Sequence, residues 1–93
     1  MVIGSALISV RIVGAHSLKE KRGVLLSILH RTRNSFNAAV AEVGDQDLWQ
    51  RAQIGVAVVS NTAKHAEQQL DQVIKFIESE PRLEIIEVHM EIL

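Results

Sequence analysis

The stretch VIGSALISVRIVGAHSLKEKRGVLLSIL, residues 2–29, decides the fold because the spacing of its apolar residues changes near its middle. Residues 2–12 alternate between two faces, which predicts a β-strand. Gly14 ends that strand, and the apolar residues after it recur at helical spacing. The predicted inward residues of the strand are Ala6, Ile8, Val10 and Ile12. The predicted core stripe of the helix is Leu18, Val24, Leu25, Ile28 and Leu29.

The start of this helix carries a capping-box pattern. Ser17 is followed three residues later by Glu20, and the two side chains can each accept a free backbone N–H of the first turn. We therefore place the N-cap at Ser17 and expect the helix to run to about Asn34.

The rest of the chain reads as strand, strand, helix and strand. Alternating patterns predict strands over residues 36–43, 53–60 and 82–93. A second helix begins after Asn61 or Ser60 and ends near Glu80. In the last strand the residues expected to face inward are Ile86, Val88, Met90 and Ile92.

The order βαββαβ predicts a ferredoxin-like α+β fold for residues 1–93 as a single domain. We expect a four-stranded antiparallel sheet with two helices on one face. Right-handed crossovers place the first and third strands in the centre.

The composition excludes several classes of protein. The chain has 93 residues, 47% of them hydrophobic, and no cysteine, so disulfides, thiolate metal sites and cysteine nucleophiles are excluded. A small domain without disulfides fits the reducing cytoplasm. The N-terminal segment has no basic residue before its apolar run, and no run approaches the roughly 18 residues of a membrane span. We expect a cytoplasmic protein without a membrane partner.

The charges are divided unequally along the chain. Residues 1–40 hold six basic residues and one acid, a net charge of +5, whereas residues 41–93 hold four basic and ten acidic residues. Several cations of the first helix share one side, and Lys21 points nearer the core with its amine expected to reach water. The candidate anion- or RNA-binding residues are Lys19, Lys21, Arg22, His30 and Arg33. The alternative is a solvated helix face whose cations pair with acids of the fold.

An acidic segment, AEVGDQDLWQRAQIG, follows the second strand at residues 41–55. Its carboxylates could hold a divalent cation, but we favour a turn capped by Asp45 or Asp47. Trp49 is interpreted as a plug closing one end of a thin core, with ligand stacking as the alternative. The candidate partner-binding residues are Glu42, Asp47 and Trp49.

The sheet face without helices has four possible roles. Stacking of RNA bases is disfavoured because none of the three aromatic residues falls on a central strand. A small ligand, a second copy of the chain, or solvent with cross-strand ion pairs remain open, and we favour a homodimer slightly. The residues expected on this face are Leu7, Ser9, Arg11, Gly55, Ala57, Val59, Glu87, His89 and Glu91.

No residue pattern points to catalysis. Phosphate-binding glycine loops are absent, and no two histidines stand four residues apart. We therefore expect no enzyme, no cofactor and no metal.

Three segments together resemble a known family: HSLKEKRGVL, FNAAVAEVGDQDLWQRAQIGVAVVSN and AEQQLDQVIKFIES. They are similar to the YlxP-like family of small bacterial proteins of unknown function, over almost the whole chain. The resemblance implies a ferredoxin-like fold and, through genes that neighbour translation and transcription factors, a role near RNA or the ribosome. It adds weight to Ser17, Lys19, Lys21, Arg22, Glu42, Asp47 and Trp49. The expected function is a small binding module, with a protein-interaction or small-ligand domain as the alternative.

Overall fold

The computed structural model describes all of residues 1–93. Six elements follow one another: β1 (Val2–Ile12), α1 (Leu18–Ser35), β2 (Ala39–Gly44), β3 (Arg51–Ser60), α2 (Ala63–Glu78) and β4 (Leu83–Ile92). The strands form one antiparallel sheet in the order β2-β3-β1-β4. The predicted ferredoxin-like α+β arrangement, with the first and third strands in the centre, is therefore confirmed.

The core lies between one face of this sheet and the two helices. β1 sends its alternate apolar side chains into it, as predicted, and none of Ala6, Ile8, Val10 and Ile12 is more than 3% exposed. The helices contribute Leu25, Ile28, Leu29, Ala66, Leu70, Val73 and Ile77 to the same cluster. Neither helix has the length and apolar content needed to cross a lipid bilayer.

Ser17 is the N-cap of α1, as the sequence predicts, but the Glu20 carboxylate binds the N–H of His16 and not that of Ser17, so the reciprocal bond of a capping box is shifted by one residue. The Ser17 hydroxyl accepts the N–H of Glu20 at 3.1 Å, and the Glu20 carboxylate accepts the N–H of His16 at 2.7 Å. One free N–H group of the first turn, that of Glu20, is thereby bonded within the chain, and the Glu20 carboxylate binds the residue before the cap. Gly14, at φ 76°, makes the turn between β1 and this cap.

The N-cap of α2 is Thr62, so the prediction of Asn61 or Ser60 was wrong. The Thr62 hydroxyl accepts the N–H of His65 at 3.2 Å. Ser60 instead remains in β3 and is buried. Serine, asparagine and threonine are all good caps. Because β3 extends to Ser60, the helix begins later and Thr62 becomes the cap.

β2 begins at Ala39, three residues later than predicted. The Phe36 N–H still bonds to Thr32 O at the end of α1, at 3.0 Å. The Phe36 ring meets Phe76 of α2 edge-on, with ring centres 5.4 Å apart. Phe36, which the sequence pattern assigned to the start of a strand, therefore packs against the core near the helices.

A bulge in β4 corrects the predicted inward residues. The pairing of β1 with β4 shifts between Ser9 and Val10, and Ile85 then takes the position opposite Val10. Ile86 is left 48% exposed, so its expected inward orientation was wrong. A bulge adds one residue to a strand and moves the alternation to the other face.

The sheet face opposite the helices is open. Leu7 of β1 lies between Gly55 of β3 and His89 of β4. Ser9 lies between Gln53 and Glu87 of the same two strands. The strand register places on this face the residues that were expected there: Leu7, Ser9, Arg11, Gly55, Ala57, Val59, Glu87, His89 and Glu91.

Candidate nucleic-acid interface

Lys21 is completely buried, which corrects the expectation that its amine reaches water. The residue is 0% exposed, although it lies in the first turn of α1 between two exposed neighbours. Its Nζ donates to the backbone carbonyl of Asp45 at 2.5 Å and lies 3.1 Å from Glu42 Oε2. A buried ammonium group needs such partners, because burial of an unpaired charge is very costly. Lys21 is therefore not available to a phosphate in this structure.

The ion pair between Lys21 and Glu42 is close but poorly aligned. Glu42 Oε2 is buried and accepts no hydrogen bond, although Nζ stands 3.1 Å away. The hydrogen bond of the amine is the one to Asp45 O. The amine thus joins two segments that are 24 residues apart, the start of α1 and the end of β2.

Asp45 O also accepts the N–H of Leu48 at 3.1 Å, which closes a turn over residues 45–48. Asp45 has φ 58°, in the left-handed region that aspartate tolerates better than most residues. At the far end of the turn, the Gln50 carbonyl accepts the N–H of Ile12, and the Gln50 amide donates to Ala15 O at 3.4 Å. We call residues 45–50 the anchored turn, because both of its ends are bonded to the β1–α1 region.

Lys19 and Arg22 lie in the first two turns of α1, on either side of Lys21 in the sequence. Both are exposed, and neither takes part in any of the five ion pairs of the chain. Each lies at the positive end of the helix dipole, where a cation is unfavourable by a few tenths of a kcal/mol. An anion bound there would remove that conflict.

His30 and Arg33 lie further along α1. Arg33 is 11 residues after Arg22, about 16 Å along the helix axis at 1.5 Å per residue. Its guanidinium donates twice to the backbone carbonyl of Val40, and His30 Nε2 lies 3.1 Å from the side-chain amide of Asn34. The structure therefore does not bring these two residues together with Lys19 and Arg22.

Other cations of the fold are already paired with acids. Glu80, only 5% exposed, accepts hydrogen bonds from the guanidinium groups of Arg82 and Arg31. The bonds from Arg82, with a smaller contribution from Arg31, lower the pKa of Glu80 from 4.5 to about 2, although burial acts in the opposite direction. Arg11 forms an exposed pair with Glu84 at 2.6 Å. These arginines serve contacts within the fold.

Trp49 is 52% exposed and lies outside the buried core, so its interpretation as a core plug was wrong. The two phenylalanines pack against each other, which leaves Trp49 as the aromatic side chain most accessible to a ligand. Arg51, which the sequence analysis did not select, follows two residues later at the start of β3 and has no acidic partner. Its place two residues after the chain's single tryptophan is the signal that could have identified it.

The acidic residues of this region do not form a metal site. Nowhere in the chain are three His, Asp or Glu side chains grouped closely enough to hold a metal ion. Glu42 turns inward to Lys21, whereas Asp47 stays at the surface of the anchored turn. The backbone of Asp45, and not its carboxylate, organises the turn.

Comparison with known proteins places the chain in a family. A family profile described as "Protein of unknown function (DUF503)" matches residues 3–90. The chain belongs to the DUF503 family. It is also similar to a Bacillus subtilis (strain 168) protein described as "Uncharacterized protein YlxP", with 46% identity over 83 residues, which cover 89% of this chain and 90% of the relative. The resemblance to the YlxP-like family is confirmed.

Two of the three segments that carried this resemblance meet in the DUF503 chain at one place. HSLKEKRGVL contains the start of α1, and the segment of residues 36–61 contains β2, the anchored turn and β3. Lys21 of the first segment bonds to Asp45 of the second. The candidate interface therefore comprises exposed residues of the segments that this bond joins: Lys19, Arg22, Asp47, Trp49 and Arg51.

Proposed function

We propose that this chain is a binding module for RNA that acts without catalysis. The observation that carries the proposal is the buried Lys21 amine, which holds the anchored turn against α1. The turn carries the half-exposed Trp49, and α1 carries the unpaired Lys19 and Arg22. An exposed aromatic side chain and free cations, on segments that the Lys21–Asp45 bond joins, support the proposal, because single-stranded nucleic acid is bound by stacking together with positive charge.

Each part of this surface has a separate task in the proposal. Lys19 and Arg22 contact backbone phosphates, together with free N–H groups of the first turn of α1. Trp49 stacks on an unpaired base, a contact that contributes about 1–3 kcal/mol in other proteins. The Lys21 amine contacts no RNA, and its contribution is to position the turn.

The proposal is tested by fluorescence polarisation with a labelled single-stranded RNA of mixed sequence. We compare wild type with Lys19→Ala/Arg22→Ala at about 50 mM and about 200 mM salt. The matched control is Lys64→Ala/Lys75→Ala, which removes two exposed cations from α2 instead. Lys21 is left intact, because its replacement disturbs the turn.

Loss of two phosphate contacts should reduce the slope of log affinity against log salt by about 1.4 for a single strand. The control variant should keep the slope of wild type. Purified ribosomal subunits, pelleted with the protein, serve as a second RNA probe. Absence of binding by wild type to either probe at about 50 mM salt, or equal losses in both double variants, would reject the proposal.

A second candidate function, a homodimer, is favoured by the apolar hollow on the open sheet face. The hollow has a volume of about 460 Å³ and is lined mainly by small side chains, among them Ala39, Ala41, Gly55 and Ala57. Val43 at its margin is 55% exposed. The same face carries the unpaired Arg51 and the acids of β4, so a second copy offers the complementary charge.

The size of the open face limits the strength of such a dimer. The strands are about 4.8 Å apart, three of them about 33 Å long and β2 about 20 Å, and together they present roughly 570 Å² of projected area. A standard interface buries about 800 Å² on each partner, so we expect weak association. Sedimentation from about 1 to 100 μM should show a dimer that Ala57→Glu abolishes and Ala63→Glu, on α2, does not. A monomer throughout that range would eliminate this candidate.

A further inference from the structure

A shallow hollow on the anchored turn contains three groups that could contact a ligand. Five consecutive residues, Asp47 to Arg51, line a space of about 520 Å³. Trp49 supplies an aromatic surface that is half accessible to solvent.

The two charged groups in this hollow are not paired with each other. Asp47 and Arg51 both line it, yet neither forms an ion pair or a side-chain hydrogen bond with any residue of the chain. The bond from Leu48 N to Asp45 O fixes the turn on one side, and the start of β3 fixes Arg51 on the other. An acceptor and a donor are thus held beside an aromatic face with their bonding capacity free.

An ionised carboxylate accepts hydrogen bonds and donates none, so it selects a base edge that presents donors. Guanine has two adjacent donors on its Watson–Crick edge, the N1–H and the N2 amine, which match the two oxygens of one carboxylate. Adenine and cytosine place one amine beside an acceptor nitrogen. Uracil places one N–H between two carbonyls. A carboxylate next to a stacked base therefore favours guanine.

We propose that this hollow binds an unpaired guanine base of an RNA strand. Trp49 stacks on the base, the Asp47 carboxylate accepts from N1–H and the N2 amine, and Arg51 contacts an adjoining phosphate. The inference rests on the proposed RNA-binding function and adds a base preference to it. Proteins that read single-stranded RNA commonly combine stacking with hydrogen bonds to this edge.

The experiment measures the affinity of the intact chain for short oligouridine strands that carry one central guanine, inosine, adenine or cytosine. We expect the guanine strand to bind about tenfold more tightly than the adenine strand, a difference of about 1.4 kcal/mol. Inosine lacks the N2 amine and should bind with intermediate affinity. Trp49 is the chain's single tryptophan, so quenching of its fluorescence reports stacking directly.

Two variants of equal charge separate recognition from electrostatics. Asp47→Asn should reduce the guanine-to-adenine ratio to about one, because an amide replaces one acceptor oxygen with a donor. Asp45→Asn removes the same charge from the same turn outside the hollow and should preserve the ratio. Equal binding of all four strands by wild type would overturn the guanine assignment and leave RNA binding intact. No binding of any strand would reject the proposed function itself.

Discussion

Replacement of Lys21 by methionine should destabilise the chain by about 2–3 kcal/mol, mainly through loss of one charged hydrogen bond. Methionine has a similar length and no charge, so the buried stem is retained while the amine is lost. The bond to Asp45 O is worth about 1.5–3 kcal/mol in comparable cases. Glu42 Oε2 is buried beside the amine, so removal of the amine leaves that carboxylate oxygen without its countercharge and adds to the cost. Removal of a buried charge offsets part of this sum.

The measurement is urea denaturation followed by two probes. Far-UV circular dichroism reports the whole fold, and Trp49 fluorescence reports the anchored turn. With a slope of about 1 kcal/mol per molar urea, the midpoint should fall by about 2–3 M. In the Lys21→Met variant the fluorescence change should precede the loss of circular dichroism, because the turn has lost its anchor.

Two companion variants test the cause of this effect. Glu42→Gln should cost only about 1 kcal/mol, because the amine keeps its bond to Asp45 O. Lys21→Met combined with Glu42→Leu should recover part of the stability, since no charge is then left without a partner. A Lys21→Met protein within about 0.5 kcal/mol of wild type, with coincident transitions, would refute the role assigned to the amine.

Three further substitutions have expected effects on stability. Glu80→Gln should cost about 1–2 kcal/mol at neutral pH. The pKa of Glu80 is lowered from 4.5 to about 2, so the stability that its carboxylate contributes is complete above pH 4.5 and disappears as the pH falls towards 2. Between these pH values the urea midpoint of the variant should therefore depend less on pH than that of wild type. Gly4→Ala should cost about 1 kcal/mol in a thermal melt, since its Cβ would lie 3.0 Å from Leu70 Cδ1. Gly23→Ala, where a Cβ meets no atom within 4 Å, should raise stability by about 0.5–1 kcal/mol in the same assay.

The elements were predictable wherever local pattern and tertiary structure agree. β1 combines strict alternation with a central position, so its bounds and inward face follow from the sequence. The Ser17 cap depends on residues three apart, which a local pattern can specify. The bulge that exposes Ile86 depends on pairing with β1, and no local signal in β4 marks it.

The candidate site was predicted only in part, because two of its features depend on contacts between distant segments. The burial of Lys21 requires the carbonyl of Asp45, 24 residues away, and a helical wheel cannot show that partner. Trp49 was assigned to the core because tryptophan is usually well buried. Its turn is held by backbone bonds to Gln50 and Asp45, so packing of the indole is not needed to fix it.

Of the three cations at the start of α1, only Lys21 contributes an observed contact to the fold. Lys19 and Arg22 lie at the positive end of the helix without an acidic partner. Glutamate at these positions would interact favourably with the same dipole, by about 0.3–1 kcal/mol each. Selection for stability alone would therefore favour acids at these positions. A surface that binds anions requires the cations, at the cost of some folding stability. A Lys19→Glu/Arg22→Glu protein that melts at a higher temperature but no longer binds RNA would separate the two requirements. A lower melting temperature would show instead that the cations serve the fold.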